Sequence, residues 1–422
     1  MEAVEEIKDI KIEKARQIVN EAESVLQELF KRTDEIAEYN QLKVLRAFQK
    51  NKIGEEHFYT VTGYGHDDLG REALDNVFKD TFNCEAAIVR PHFVSGTHTI
   101  ACALFGVLRP GDGLVSIAGA PYDTLDEIIG KNENHEFYNC SLRAMGVEYS
   151  EIPLVNELDV DFNAIPKFIK PNTKMVTIQR SRGYSLRNSL TIEDIEKIIK
   201  IVKSINPKTV CFVDNCYGEF TQKLEPTDVG ADLIAGSLIK NPGGGIVEAG
   251  GYLAGRKDLI EMCARRLTAP GIGTEGGAMF NQTRVMLQGF FMAPSVVSYA
   301  VKGAILAAKV FENVGFKTHP KSDCTRCDLI QTIKFEKQEA QEAFCRALQK
   351  YSPVESYLTP IPDGVPGYED KLIMAGGSFI EGSTIELSAD GPCRSPYAVY
   401  MQGGLSYFHV KLALIGILKE LV

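Results

Sequence analysis

Between about residue 85 and residue 255, short runs rich in β-branched and other apolar residues alternate with segments whose apolar residues recur at helical spacing. This alternation restricts the fold more than any other feature of the chain. Strand, helix and strand in repeated succession need crossover connections, and crossovers build a mostly parallel sheet covered on both faces. The runs Ala86–Val89, Gly113–Ile117, Glu148–Leu154, Lys174–Gln179, Thr209–Val213, Leu233–Ala235 and Gly251–Ala254 predict seven strands. The clearest helix between them is Thr191–Ser204, where Thr191 and Asp194 form a capping pair ahead of Ile195, Ile198, Ile199 and Val202, and Pro207 stops the pattern.

The flanks read differently. Residues 5 to about 50 contain neither Gly nor Pro and place Ile12, Ala15, Ile18, Val19, Val25, Leu26, Leu29 and Phe30 at helical spacing, which predicts one helical arm. After a Gly-rich stretch at 270–277, a helical pattern over Val296–Val314 leads into mixed strands and helices. The expected organisation is an N-terminal arm over 1–55, a large α/β domain over 56–295 and a smaller α+β domain over 296–422. A chain of 422 residues accommodates such a division.

Charge and composition narrow the function. The 46 basic and 56 acidic residues leave a net charge of -10, which repels nucleic acid and anionic lipid. The acidic opening MEAVEEIKDIKIEKARQIVNEAE lacks the basic and apolar order of a secretory leader. The apolar tail Val410–Leu418 is interrupted by Lys411 and falls short of the roughly 20 residues of a membrane helix. A cytoplasmic protein without a membrane span is expected. The ten cysteines are scattered, mostly in apolar runs such as IACALF, as in a reduced interior. Cys324 and Cys327 have no second pair to complete a zinc site, so no metal is expected. Gly271, Gly273 and Gly276 match a dinucleotide-binding pattern but follow a helical segment and Pro270 where such a site needs a strand.

Ligands of open α/β sheets bind beyond the carboxyl ends of the strands. Asp214 closes the run Thr209–Val213, where a carboxylate can bond a protonated heterocyclic nitrogen. Lys240 follows the next strand, so successive crossover units bring an acid and an amine to one crevice. Ser95, Gly96 and Thr97 stand between a strand and an apolar helical pattern, where amides and hydroxyls at a helix N-terminus bind an anion. Ser237 adds a hydroxyl, Tyr122 a ring that can lie against a bound heterocycle, and Arg394 a guanidinium fork for a carboxylate. Singly, each has a plain structural alternative as a cap, core residue or surface cation. Together they supply what a pyridoxal-5'-phosphate (PLP) enzyme needs: an amine for the aldehyde, an acid for the pyridine nitrogen, a phosphate cup, a stacking ring and a cation for the substrate carboxylate.

The segments TGYGHDDLGRE (62–72), VRPHFVSGTH (89–98), GAPYDTL (119–125), QRSRGY (179–184), FVDNCYGEF (212–220), GSLIKNPGGG (236–245) and IELSADGPCRSPY (385–397) make the chain similar to a known family. It resembles the PLP-dependent methionine gamma-lyase or aluminium resistance family, relatives of cystathionine beta-lyase. The resemblance implies the aspartate-aminotransferase-like fold, PLP fold type I. It implies that Lys240 carries PLP, Asp214 faces the pyridine nitrogen, Ser95, Gly96, Thr97 and Ser237 hold the phosphate, and Tyr122 stacks on the ring. It further implies Arg182 beside the cofactor, Arg394 on the substrate carboxylate, and Tyr64 and Arg71 reaching the phosphate of a neighbouring copy in a homodimer or homotetramer with shared sites.

The expected reaction is carbon-sulfur bond cleavage in a sulfur amino acid, by beta-elimination from cystathionine or cysteine or by gamma-elimination from methionine, with Lys240 and Tyr122 as the catalytic groups. An aminotransferase or another PLP reaction fits the same fold and cofactor, because neither fixes the reaction. So does a PLP-binding protein without turnover.

Overall fold

The computed structural model describes residues 10–63, 67–364 and 370–421. Helices α1 (Ile10–Ser24) and α2 (Gln27–Lys50) open the chain where the sequence predicts one continuous helix. Around the break at Val25 and Leu26, side chains take helix carbonyls: Ser24 Oγ donates to the Glu21 carbonyl at 2.7 Å and Gln27 Nε2 to that of Glu23 at 3.0 Å. Such local bonds compete with the helical ladder.

The described chain forms two compact units, Tyr39–Ala293 and the remainder, which joins residues up to Glu38 with those from Pro294 onward. The first is built on β1 (Ala86–Arg90), β2 (Gly113–Ser116), β3 (Glu148–Glu151), β4 (Thr173–Gln179), β5 (Val210–Asp214), β6 (Leu233–Ser237) and β7 (Gly251–Gly255), in the spatial order β1-β7-β6-β5-β4-β2-β3. All seven expected strands are present. Strand β7 runs antiparallel to both its neighbours, while β2 to β6 pair in parallel. Strands β5 and β6 extend to Asp214 and Ser237, so both residues stand at carboxyl ends.

Successive residues of a strand face opposite sides, and each side has its own core. On one, Phe212, Leu233, Ala235 and Leu253 meet Ile100, Leu104 and Val107 of α4 (Gly96–Val107) and Leu259, Ile260 and Cys263 of a helix over Lys257–Leu267. On the other, Tyr252 joins Phe78 and Phe82 at the end of α3 (Leu69–Thr81), with Phe220 and Phe290; the Phe78 and Phe290 rings stack at 3.8 Å and those of Phe82 and Tyr252 at 5.1 Å. Helix α5 (Ile192–Ile205) begins in the expected capping box: Thr191 Oγ1 accepts from the Asp194 amide at 3.2 Å, and Asp194 Oδ2 accepts from the Thr191 amide at 3.0 Å. Labelling the Lys257–Leu267 helix α6, the next long helix is α7 (Thr283–Asn313), which starts well before the expected Val296 and runs through Pro294. Proline removes the donor that the Phe290 carbonyl takes in a regular helix, and in the same turn Gln41 Nε2 donates to the Phe291 carbonyl at 3.0 Å. Helix α7 is long and apolar enough to cross a membrane, yet 72% of its most apolar window is buried inside the protein, as in a core helix.

The other unit holds an antiparallel sheet of β8 (Lys317–His319), β9 (Gln331–Lys334), β10 (Leu372–Ala375), β11 (Ser388–Pro392) and β12 (Ala398–Gln402), ordered β10-β11-β12-β9-β8. Helices α8 (Gln338–Lys350) and α9 (Tyr407–Leu421) accompany it. Lys411 of α9 is tied to Glu23 of α1 at 2.6 Å. Gly273 to Glu275 form a single 3-10 turn, so the glycine pattern there opens no strand-to-helix phosphate loop.

Replacing Thr191 by Ala removes the cap acceptor of α5 and is expected to cost about 1 kcal/mol of stability, measured by denaturant unfolding.

Candidate active site

Five strand ends deliver polar groups to one cavity of about 780 Å³, its open mouth included. Strand β1 leads to Ser95, Gly96 and Thr97, β2 to Tyr122 and Thr124, β4 to Gln179, Ser181 and Gly183, β5 to Asp214, Cys216 and Tyr217, and β6 to Ser237 and Lys240. The sheet thus brings together Lys240, Asp214, Ser95, Gly96, Thr97, Ser237 and Tyr122.

Ser95 is the N-cap of α4, its Oγ accepting from the His98 amide at 3.1 Å. Helix α4 therefore points its positive end at the cavity, with the Thr97 hydroxyl 3.1 Å from that of Thr124. Ser237 Oγ is buried and has no hydrogen-bond partner among the described residues. A buried hydroxyl of this kind is costly until a ligand oxygen completes it. Helix end, hydroxyls and unpartnered Ser237 together form a cup that fits a phosphate.

Lys240 and Asp214 line the same cavity and are half-buried only because their tips face it. Burial opposes a charge on the Lys240 amine, but the groups around it, Cys216, Tyr217, Asp214 and Glu219, hold its pKa above the ordinary lysine range. Burial pushes the Cys216 thiol far up and Glu219 to about 8, so both keep their protons at neutral pH and Asp214 is the acid left to face the ammonium. Burial also raises the Asp214 pKa, an effect that Lys240 and the Cys216 thiol and amide oppose. The Cys216 amide donates to Asp214 Oδ1 at 3.1 Å, and the Lys240 ammonium stands 4.2 Å from the centre of the Tyr217 ring.

Tyr122 is placed by its backbone: its amide donates to Gln179 Oε1 at 2.8 Å, and Gln179 Nε2 donates to the Ser181 carbonyl at 2.9 Å. Gly183, at φ +59, lies under the Tyr122 ring, where an added Cβ would come within 3.0 Å of Cδ2. Arg182 is buried in the same loop, its Nε donating to Ser189 at 3.1 Å. Arg71 is buried on α3, with one guanidinium nitrogen 3.4 Å from the Gly277 carbonyl. Arg394 belongs to the other unit and is paired with Asp370 at 2.6 Å. Tyr64 lies outside the described residues. Sequence reasoning had given no site role to Gln179, Gly183, Cys216 and Tyr217, although all four flank strand ends already marked as functional.

The profile of the methionine gamma-lyase family matches residues 15–422. The chain belongs to that family. Family relatives span its whole length: protein YnbB of Bacillus subtilis (strain 168) is 49% identical over 402 residues, covering 95% of each chain. The crystal structure of a carbon-sulfur lyase involved in aluminum resistance from Clostridium novyi NT has 46% identity, a TM-score of 0.94 and coverage of 100% of both chains. More distantly, the pyridoxal-5'-phosphate dependent protein YhfS from Escherichia coli superposes with a TM-score of 0.62 at 16% identity, over 92% of this chain and 96% of that one. This family member has the aspartate-aminotransferase-like architecture, fold type I.

Gly183→Ala forces a side chain into left-handed backbone under Tyr122 and is expected to destabilise the protein by about 1–2 kcal/mol in chemical denaturation.

Proposed function

We propose that this chain is a PLP-dependent carbon-sulfur lyase acting on a sulfur amino acid. The observation that carries the reading is one cavity in which Lys240, Asp214, the N-terminus of α4 and the unpartnered Ser237 hydroxyl converge. The carbon-sulfur lyase named for the Clostridium novyi relative supports the reaction class.

Bound in the cavity, PLP would supply an electron sink for the pair released when the substrate Cα loses its proton. Ser95, Gly96, Thr97 and Ser237 bind its phosphate, with Arg182 in the loop beside it. Asp214 keeps the proton on the pyridine nitrogen through a charged hydrogen bond. Lys240 is the amine that would hold the cofactor through its aldehyde and the base placed to take the substrate Cα proton. The Tyr122 ring would lie against the cofactor, and its hydroxyl would pass a proton to the departing sulfur. Arg394 receives the substrate carboxylate in exchange for Asp370. The protein works as a homodimer or homotetramer, with Tyr64 and Arg71 serving a neighbouring copy.

Purified protein and Lys240→Ala are to be compared by absorption and by incubation with cystathionine, cysteine and methionine. A visible band lost in the variant is expected, with pyruvate or 2-oxobutyrate formed at least about 10³-fold faster by the native protein. Turnover that requires an added 2-oxo acid and releases no thiol would mark an aminotransferase instead. Because Asp370 competes for Arg394, Asp370→Asn is expected to lower KM for the amino acid by about threefold, a change of under 1 kcal/mol in steady-state kinetics.

A further inference from the structure

Glu219 is fully buried beside the cavity, and the chemistry above does not use it. It lies in the turn that follows β5, where Tyr217 and Phe220 hold left-handed backbone at φ +69 and +62. Such a turn persists only if its surroundings pin it. Two of the pins run through Glu219. Its carbonyl accepts from Asn241 Nδ2 at 2.9 Å, and Asn241 follows Lys240. Its Oε1 accepts from the Tyr252 hydroxyl at 2.9 Å, and that hydroxyl is 3.4 Å from Nδ2 of Asn215, which follows Asp214. The contact needs a glycine at position 236, where a Cβ would come within 2.3 Å of both Glu219 Oε1 and Tyr252 Cε1.

The other oxygen, Oε2, has no hydrogen-bond partner among the described residues. The Tyr252 ring whose hydroxyl meets Oε1 packs with Phe78 and Phe82. An ionised carboxylate in that position would be a buried anion with one bare oxygen, which is far costlier than a neutral acid. Of the charged and titratable groups that face it, Glu225, Cys216, Tyr252 and Lys240, the first works the same way. Glu225 repels a second anion, and its own charge is already engaged by Arg180 at 3.4 Å, Asn215 at 3.1 Å and the Phe220 amide at 2.9 Å. Burial moves the Glu219 pKa to about 8, outweighing its own backbone amide, the Tyr252 hydroxyl bond and Lys240, which favour ionisation. Glu219 is also among the groups that act on Lys240, with Cys216, Tyr217 and Asp214.

We propose that Glu219 is a positioning residue, held as a neutral acid at neutral pH, which ties the strand end bearing Asp214 to the loop bearing Lys240 and adds a negative charge beside the lysine only when it ionises. The proposal rests on the reading of Lys240 and Asp214 as the cofactor-binding pair. Glu219 itself touches neither substrate nor cofactor.

The test uses Glu219→Gln, which keeps the shape and removes the proton equilibrium. In the fold Glu219 keeps its proton up to about pH 8, whereas its reference pKa is 4.5, so folding binds a proton between those values. The native protein therefore loses stability as pH rises through this window. The Gln variant loses none through this group. Between pH 5 and pH 8.5 its Tm is expected to gain on that of the native protein by roughly 5 °C. Parallel Tm profiles would show that Glu219 is ionised in the fold and overturn the proposal.

The pH midpoint of the visible band of PLP-loaded protein is expected to fall by roughly half a unit or more in the variant, because the charge that Glu219 gains at high pH is gone. Coincident band titrations would overturn the role toward Lys240. Should Glu219→Gln fail to fold, Tyr252→Phe removes the bond that favours ionisation and is expected to extend the fall in Tm to higher pH; an unchanged profile overturns the proposal equally. The Tm comparison reads the Glu219 proton whether or not a visible band forms, so failure of the cofactor reading and failure of this one are separable.

Discussion

Lys240 and Asp214 line one cavity at the carboxyl edge of a sheet that is apolar on both faces, and each favours the charged form of the other against the cost of burial. Much of the surrounding structure serves that pair. Strands β5 and β6 are buried along their length, which leaves their ends no freedom to drift. The Asp214 carboxylate is steadied by the Cys216 amide, and the ammonium rests over the Tyr217 ring. The turn needed to bring Cys216 and Tyr217 there is strained, so its backbone is held from outside by Glu225 and Asn241.

A second layer of polar residues, Arg180, Asn215, Glu225, Glu219 and Tyr252, lies buried beneath the first. Arg180 reaches across it, donating to Asn215 at 2.8 Å and to Gln222 at 3.1 Å. Networks of this kind are costly unless satisfied, and they specify one arrangement of the groups they hold. Here the arrangement specified is that of the cavity floor. The phosphate cup is built differently, from a helix end and hydroxyls. It is suited to an anion because Ser237 has no hydrogen-bond partner among the described residues.

The sheet was legible because buried parallel strands read as continuous apolar runs bounded by turn residues, and all seven runs became strands. Thr191 and Asp194 announced their helix by capping chemistry alone. The failures have local causes. Helix α7 was expected from Val296, yet it begins at Thr283 and runs through Pro294, with Gln41 of α2 donating to the Phe291 carbonyl in the turn before the proline. The break between α1 and α2 depends on side chains bonding their own helix, which periodicity does not record. Within the site, the residues at strand ends could be found from strand order, but Tyr217 and Gly183 enter through left-handed backbone, which residue type alone does not declare for a tyrosine. Glu219 was given no role of its own within FVDNCYGEF; only the fold shows that it is buried and bonded to Tyr252.

Borohydride reduction of the purified protein in the presence of PLP, followed by mass mapping of its peptides, tests the central claim most directly. The expected result is one phosphopyridoxyl group per chain, carried by the peptide containing Lys240. No adduct, or an adduct confined to another lysine, would contradict the account.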